Sequence, residues 1–174
     1  MGAADDKDLS EPTASAPHMF GGTLEPVRLP WRWAVARLEA ARTYWIATTR
    51  PDGRPHTRPV WGVWFDNTFY FSTGSLAARN LAGQPAITMH LESGEEVVIV
   101  EGVAELAQGE ELLKRVGALY DAKYQWEHDS DAAADPFYAL RPDVVFGWAE
   151  DSTGLDGGSA FHGTATRWQF ERRE

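Results

Sequence analysis

The chain has 174 residues, 43% of them hydrophobic, no cysteine, and a net charge of −10. That length suits one domain with a real core, and the absence of thiols excludes disulfides, thiolate metal sites and a cysteine nucleophile. No apolar run approaches the ~20 residues of a membrane span, and no basic start leads into an apolar stretch; a cytoplasmic protein without membrane partners is expected.

Residues 1–26 are rich in Ala, Asp, Ser, Pro and Gly and read as a disordered N-terminal tail. Residues 27–174 read as one folded domain. Pro30 opens a helix over Trp31–Arg42 whose apolar positions Trp31, Val35 and Leu38 share a face. A strand follows at Tyr44–Thr49, and Arg50-Pro51-Asp52-Gly53 is a turn. The next strands cover Pro55–Phe65 and Thr68–Ser72, joined by a tight Asp66-Asn67 hairpin. A short helix, Leu76–Leu81, leads to strands at Ala86–Leu91 and Val97–Leu106. Glu110–Ala122 is an amphipathic helix with Leu112, Leu113, Val116, Leu119 and Tyr120 inward. Strands at Val144–Trp148 and Thr164–Phe170 close the chain, with a glycine-rich loop over Glu150–Gly163 between them. Many strands, short turns and few helices predict a mainly β, α+β fold built on an antiparallel barrel.

The charge is uneven. Residues 1–26 carry one Lys and five acids (−4), 27–90 eight Arg and three acids (+5), and 91–174 seven bases and eighteen acids (−11). A local arginine concentration in an acidic chain suits a small anion better than a nucleic-acid backbone. The basic part also contains Ser72-Thr73-Gly74-Ser75, a hydroxyl-rich turn running into the helix that carries Arg79 and Asn80. Hydroxyls, backbone N–H groups, a helix N-terminus and an arginine make a seat for a phosphate. Trp61 and Trp64, just upstream, can wall a flat ring. His56, His90 and His162 show no metal-ligand spacing, so no metal site is expected. There is no nucleophile elbow, Walker loop or GxGxxG, which leaves hydrolase and kinase chemistry unsupported.

These residues carry a resemblance. TYWIATTRPDGRPHTRPVWGVWFDNTFYFSTGSLAARNLAGQPAITMHLE, VVIVEGVAEL, RPDVVFGW and TATRWQFE resemble the pyridoxamine 5′-phosphate oxidase-like superfamily of split β-barrel flavoproteins, over Leu29–Glu171. The chain is most similar to its flavin/deazaflavin oxidoreductase branch, many of which use coenzyme F-420. The resemblance implies a homodimer with two cofactor sites in grooves at the interface. It places Arg58, Pro59, Val60 and Trp61 along the cofactor ring, and Ser72, Thr73, Ser75, Arg79 and Asn80 at its phosphate. Trp168 falls where the last strand approaches the partner's site. The implied function is hydride transfer from reduced F-420 to a small conjugated or electron-poor substrate. FMN-dependent oxidase or reductase chemistry, or flavin or haem binding without turnover, are the alternatives. No catalytic side chain is named, because the cofactor carries the difficult chemistry.

Overall fold

The structure, a computed structural model, describes residues 11–17, 28–125, 136–150 and 163–171. Its elements are β1 (Thr13–Ser15), α1 (Trp31–Ala40), β2 (Tyr44–Thr49), β3 (Pro55–Val60), β4 (Gly62–Phe65), β5 (Thr68–Ser72), α2 (Ser75–Gly83), β6 (Ala86–His90), β7 (Glu96–Leu106), α3 (Glu110–Tyr124), β8 (Phe137–Ala149) and β9 (Thr166–Gln169). The strands pair in the order β1-β9-β8-β7-β6-β2-β3, and β5 joins β4 to β8. Every pairing is antiparallel.

The sequence reads Pro55–Phe65 as one strand, but the chain breaks it at Trp61. β3 pairs with β2, whereas β4 pairs with β5. This corner closes the ladder β2-β3/β4-β5-β8-β7-β6 on itself, giving the expected antiparallel barrel. Gly62 is required there: a Cβ would stand 2.4 Å from the Phe69 ring and 2.6 Å from the Tyr70 carbonyl oxygen. The Asp66-Asn67 hairpin forms as read, with φ of 52° at both residues, the geometry of a type I′ turn.

β8 begins seven residues before the expected strand. Its first part pairs with β5, its last part with β9, and β7 runs along its other edge. Pro142 hides this continuity in the sequence. It is tolerated because the register slips between Glu101 and Gly102, opposite Pro142 and Val144, where the strand bulges.

The barrel interior holds Tyr44, Ile46, Val60, Trp64, Phe69, Phe71, Met89, Val98, Val100, Leu140, Val145 and Trp168, capped by Trp31, Ala34 and Leu38 of α1. α3 covers the outside of β4, β5 and β8, where Val63, Tyr70 and Ala139 meet Val116, Tyr120 and Tyr124. β5 is therefore apolar on both faces. Each such large side chain contributes about 1.5–3 kcal/mol by leaving water. The inward stripe of α3 is spaced by four, at 116, 120 and 124, which leaves the predicted inward Leu119 39% exposed. α1 stops at Ala40, short of Arg42.

Thr13–Ser15 lies inside the segment read as a tail, yet it pairs with β9. Its side chains carry little burial signal, and backbone pairing with an edge strand needs none. Residues 1–10 and 18–27, and most of the predicted loop at 150–163, lie outside the described residues. No helix among the described residues is long and apolar enough to cross a membrane.

Candidate functional site

β5 delivers the chain to the start of α2. Ser72 is the last residue of β5 and pairs with Phe137. Thr73 is buried, with its hydroxyl 3.5 Å from the Gly74 carbonyl oxygen. Gly74 is the N-cap in an extended conformation, and no side-chain capping bond is made there among the described residues. The first N–H groups of α2 are thus left to solvent or to a ligand. Ser75 is the first helical residue, and Arg79 follows one turn later. Arg79 is exposed, on the opposite side from the buried Ala77 and Leu81.

Asn80 does not join Arg79. Adjacent residues on a helix point about 100° apart, and Asn80 falls on the buried face, 1% exposed. Its Nδ2 donates to Thr48 Oγ1 at 2.9 Å. That hydroxyl lies 3.3 Å from the His56 carbonyl oxygen and 3.4 Å from His56 Nδ1. Asn80 Oδ1 is buried without a hydrogen-bond partner. Asn80 thus docks α2 onto β2 and β3.

The four predicted ring residues divide between two faces. Register pairs Ile46 with Arg58 and Tyr44 with Val60, so Arg58, half-buried, and Val60, in the core, share the inner face with His56. Pro59 is exposed on the outer face, opposite Trp45. Trp61, 37% exposed, stacks on Tyr124 of α3 with centroids 4.6 Å apart and planes 5° off parallel. Trp168 is further still from a ligand surface. It is 1% exposed, edge-on to Trp31 at 5.4 Å, and packed over Gly147. A residue so enclosed is a core residue of its own barrel and has no face to offer a partner's site.

The sequence reading passes over Lys123 and Tyr124, which fasten the Trp61 corner. Lys123 Nζ donates to Tyr44 Oη at 2.6 Å, to the Gly62 carbonyl at 3.2 Å and to the Glu39 carbonyl at 3.4 Å. Burial pushes its ammonium down to about 8, against the attraction of the Glu39 carboxylate. Burial also raises Tyr44 and Tyr124, Tyr44 strongly, and lifts Tyr120 to about 12, so all three stay neutral. The four-residue spacing of 116, 120 and 124 is the sequence signal that places this turn of α3 against the barrel.

A groove of about 380 Å³ lies elsewhere, lined by Tyr70, Leu106, Leu112 and Ala139 with the Glu105–Arg141 ion pair at its rim. None of the predicted site residues lines it. Among the described residues no three His, Asp or Glu side chains converge to hold a metal.

For a phosphorylated cofactor the donor chemistry fits. An uncapped helix start, the Thr73 hydroxyl and an exposed guanidinium are the groups such an anion uses. Similar solved structures share this architecture. A heme binding protein from Mycobacterium smegmatis is 22% identical with a TM-score of 0.59, over 71% of this chain and 56% of that one. The chain thus spans little more than half of that protein's length. A conserved hypothetical protein from Mycobacterium tuberculosis is 27% identical with a TM-score of 0.56, over 67% and 82% of the two chains. The heme storage protein HutZ from Vibrio cholerae is 19% identical with a TM-score of 0.55, over 69% and 93%. No curated protein sequence is significantly similar. Residues 33–170 match the family described as pyridoxamine 5′-phosphate oxidase, and the chain belongs to that family.

Proposed function

We propose that the chain is an oxidoreductase that seats the phosphate of coenzyme F-420 at the N-terminus of α2 and presents its ring to a small conjugated or electron-poor substrate. The observation that carries this reading is the uncapped start of α2, with Arg79 exposed one turn on. When bound, the reduced deazaflavin supplies the hydride. Backbone N–H groups after Gly74, with Ser72, Thr73, Ser75 and Arg79, hold the anion. Arg58 on β3 and Trp61 at the corner orient the ring and keep water from it.

A homodimer fits the same picture. Pro59, Trp45, His90, Ile99 and Phe146 form one row across five strands on the outer face of the barrel, exposed at Pro59 and half-buried beyond it. A second copy covering this row would bring two sites together. Light scattering at micromolar concentration is then expected to give twice the 19.3 kDa chain mass; a monomer would remove the shared site.

FMN uses the same phosphate seat and is the second enzyme reading. The haem-binding names of two structural neighbours favour a third, a carrier without turnover. Absorbance of the purified protein, followed by titration with F-420, FMN and hemin, separates the three. Saturable F-420 binding without a flavin spectrum or Soret band supports the leading reading. Hemin binding alone would replace it with the carrier.

A further inference from the structure

We propose that Lys123 and Tyr124, in the last turn of α3, are positioning residues for the ring side of the site: they clamp the Val60–Gly62 corner and thereby set the plane of Trp61. The inference rests on the reading that places Trp61 beside the cofactor ring.

Residue 61 stands between β3 and β4. Its neighbour Gly62, in register with Phe71 at the start of β4, is also held by α3. The Gly62 N–H donates to Tyr124 Oη at 2.9 Å. The single phenolic proton of Tyr124 lies between the carbonyl oxygens of Arg42 and Gly62, each 2.8 Å away. Lys123 also donates to the Gly62 carbonyl, so both side chains meet that oxygen. Each of these bonds spans at least 61 positions of sequence.

The ammonium is a junction of three elements. Its other donors reach Tyr44 on β2 and the Glu39 carbonyl in the last turn of α1. Tyr44 in turn donates to the Leu38 carbonyl at 2.5 Å. Two carbonyls at the end of α1, which lack partners within the helix, are so satisfied, and a cation stands at the negative end of its dipole. Above this junction Tyr124 presents its ring to Trp61 in parallel. A clamp that served only to dock α3 would not need the Gly62 carbonyl, which belongs to the corner.

Charged and titratable groups face Lys123 from each side: Glu39 of α1, Tyr44 of β2, Arg42 over the Tyr124 and Trp61 rings, and Tyr124 itself. The tyrosines stay neutral through neutral pH, so among these groups Lys123 is the one whose charge changes first as pH rises.

The test begins on the full chain without cofactor. Amide exchange at Gly62 and the Trp61 indole N–H resonance are compared at pH 7 in the parent, Lys123→Met, Tyr124→Phe, Lys123→Arg and, as control, Lys114→Met. Exchange at Gly62 is expected to quicken about tenfold or more in Lys123→Met and Tyr124→Phe. The Trp61 resonance should titrate near pH 8 in the parent and not in Lys123→Met. Affinity for F-420 or FMN should fall about tenfold in Lys123→Met, with partial recovery in Lys123→Arg. Parent-like Gly62 exchange and Trp61 resonance in Lys123→Met would overturn the proposal. So would parent-like affinity in Lys123→Met while Arg79→Ala weakens binding. Parent-like affinity in both variants would instead overturn the cofactor reading.

Discussion

The two sides of the proposed site treat their polar groups in opposite ways. At the corner, the three donors of Lys123 have three acceptors, and Tyr124 both accepts and donates. At α2 no side chain caps the helix, and Arg79 stands exposed with no ion pair among the described residues. Saturated groups hold a fold in place. Groups left to water are cheap to transfer to a ligand, because no internal bond has to break first. On this contrast the α3 side determines shape and the α2 side determines affinity, so substitutions should separate the two effects.

The largest expected effect is at Trp168. Trp168→Ala should cost about 3–5 kcal/mol of stability, since the side chain is enclosed by Trp31 and Gly147. Urea denaturation measures it. Lost cofactor affinity with near-parent stability would return Trp168 to the site.

Tyr124→Phe should come next. It leaves the Gly62 N–H without its acceptor, at about 1–3 kcal/mol for a buried unpaired group. Arg79→Ala should change stability by no more than about 0.5 kcal/mol, as an exposed residue with no ion pair among the described residues. A larger loss would mean that α2 is held by Arg79, erasing the contrast.

A further effect is a pH dependence. Lys123 is held at about 8 in the folded chain against 10.5 ordinarily. Between those values the unfolded chain binds more protons, so this group makes stability rise with pH across the window. Tyr44, Tyr70, Tyr120 and Tyr124 are raised above 10.0, so their contribution is lost only above pH 10. The parent-minus-Lys123→Met difference in stability should therefore grow from pH 8 to pH 10. A flat difference would mean that Lys123 keeps its ordinary affinity for protons.

Much of the barrel was legible in the sequence. Tyr44–Thr49 and Thr68–Ser72 read to the residue because turn signals bound them on both sides. The break at Trp61 was not legible, because a corner where a strand changes partners keeps the same alternation. Nor was β1, whose three small residues carry little burial signal. In the proposed site, the sequence sets hydroxyls, glycine and arginine in a row at the turn into α2. The division between Arg79 and Asn80 was not, since it depends on which face of α2 meets Thr48. Lys123 was hidden for a related reason: its partners are 61 to 84 positions away.

The most direct measurement of the central claim is a fluorescence titration of Arg79→Ala with F-420 and FMN, beside the parent and Arg141→Ala. Arg141 is exposed, paired with Glu105, and outside the basic region. Loss of one charge-assisted contact, roughly 1.5–3 kcal/mol, should weaken binding on the order of ten- to a hundredfold in Arg79→Ala and leave Arg141→Ala unchanged. Parent-like affinity of Arg79→Ala for both cofactors would contradict a phosphate seat at α2.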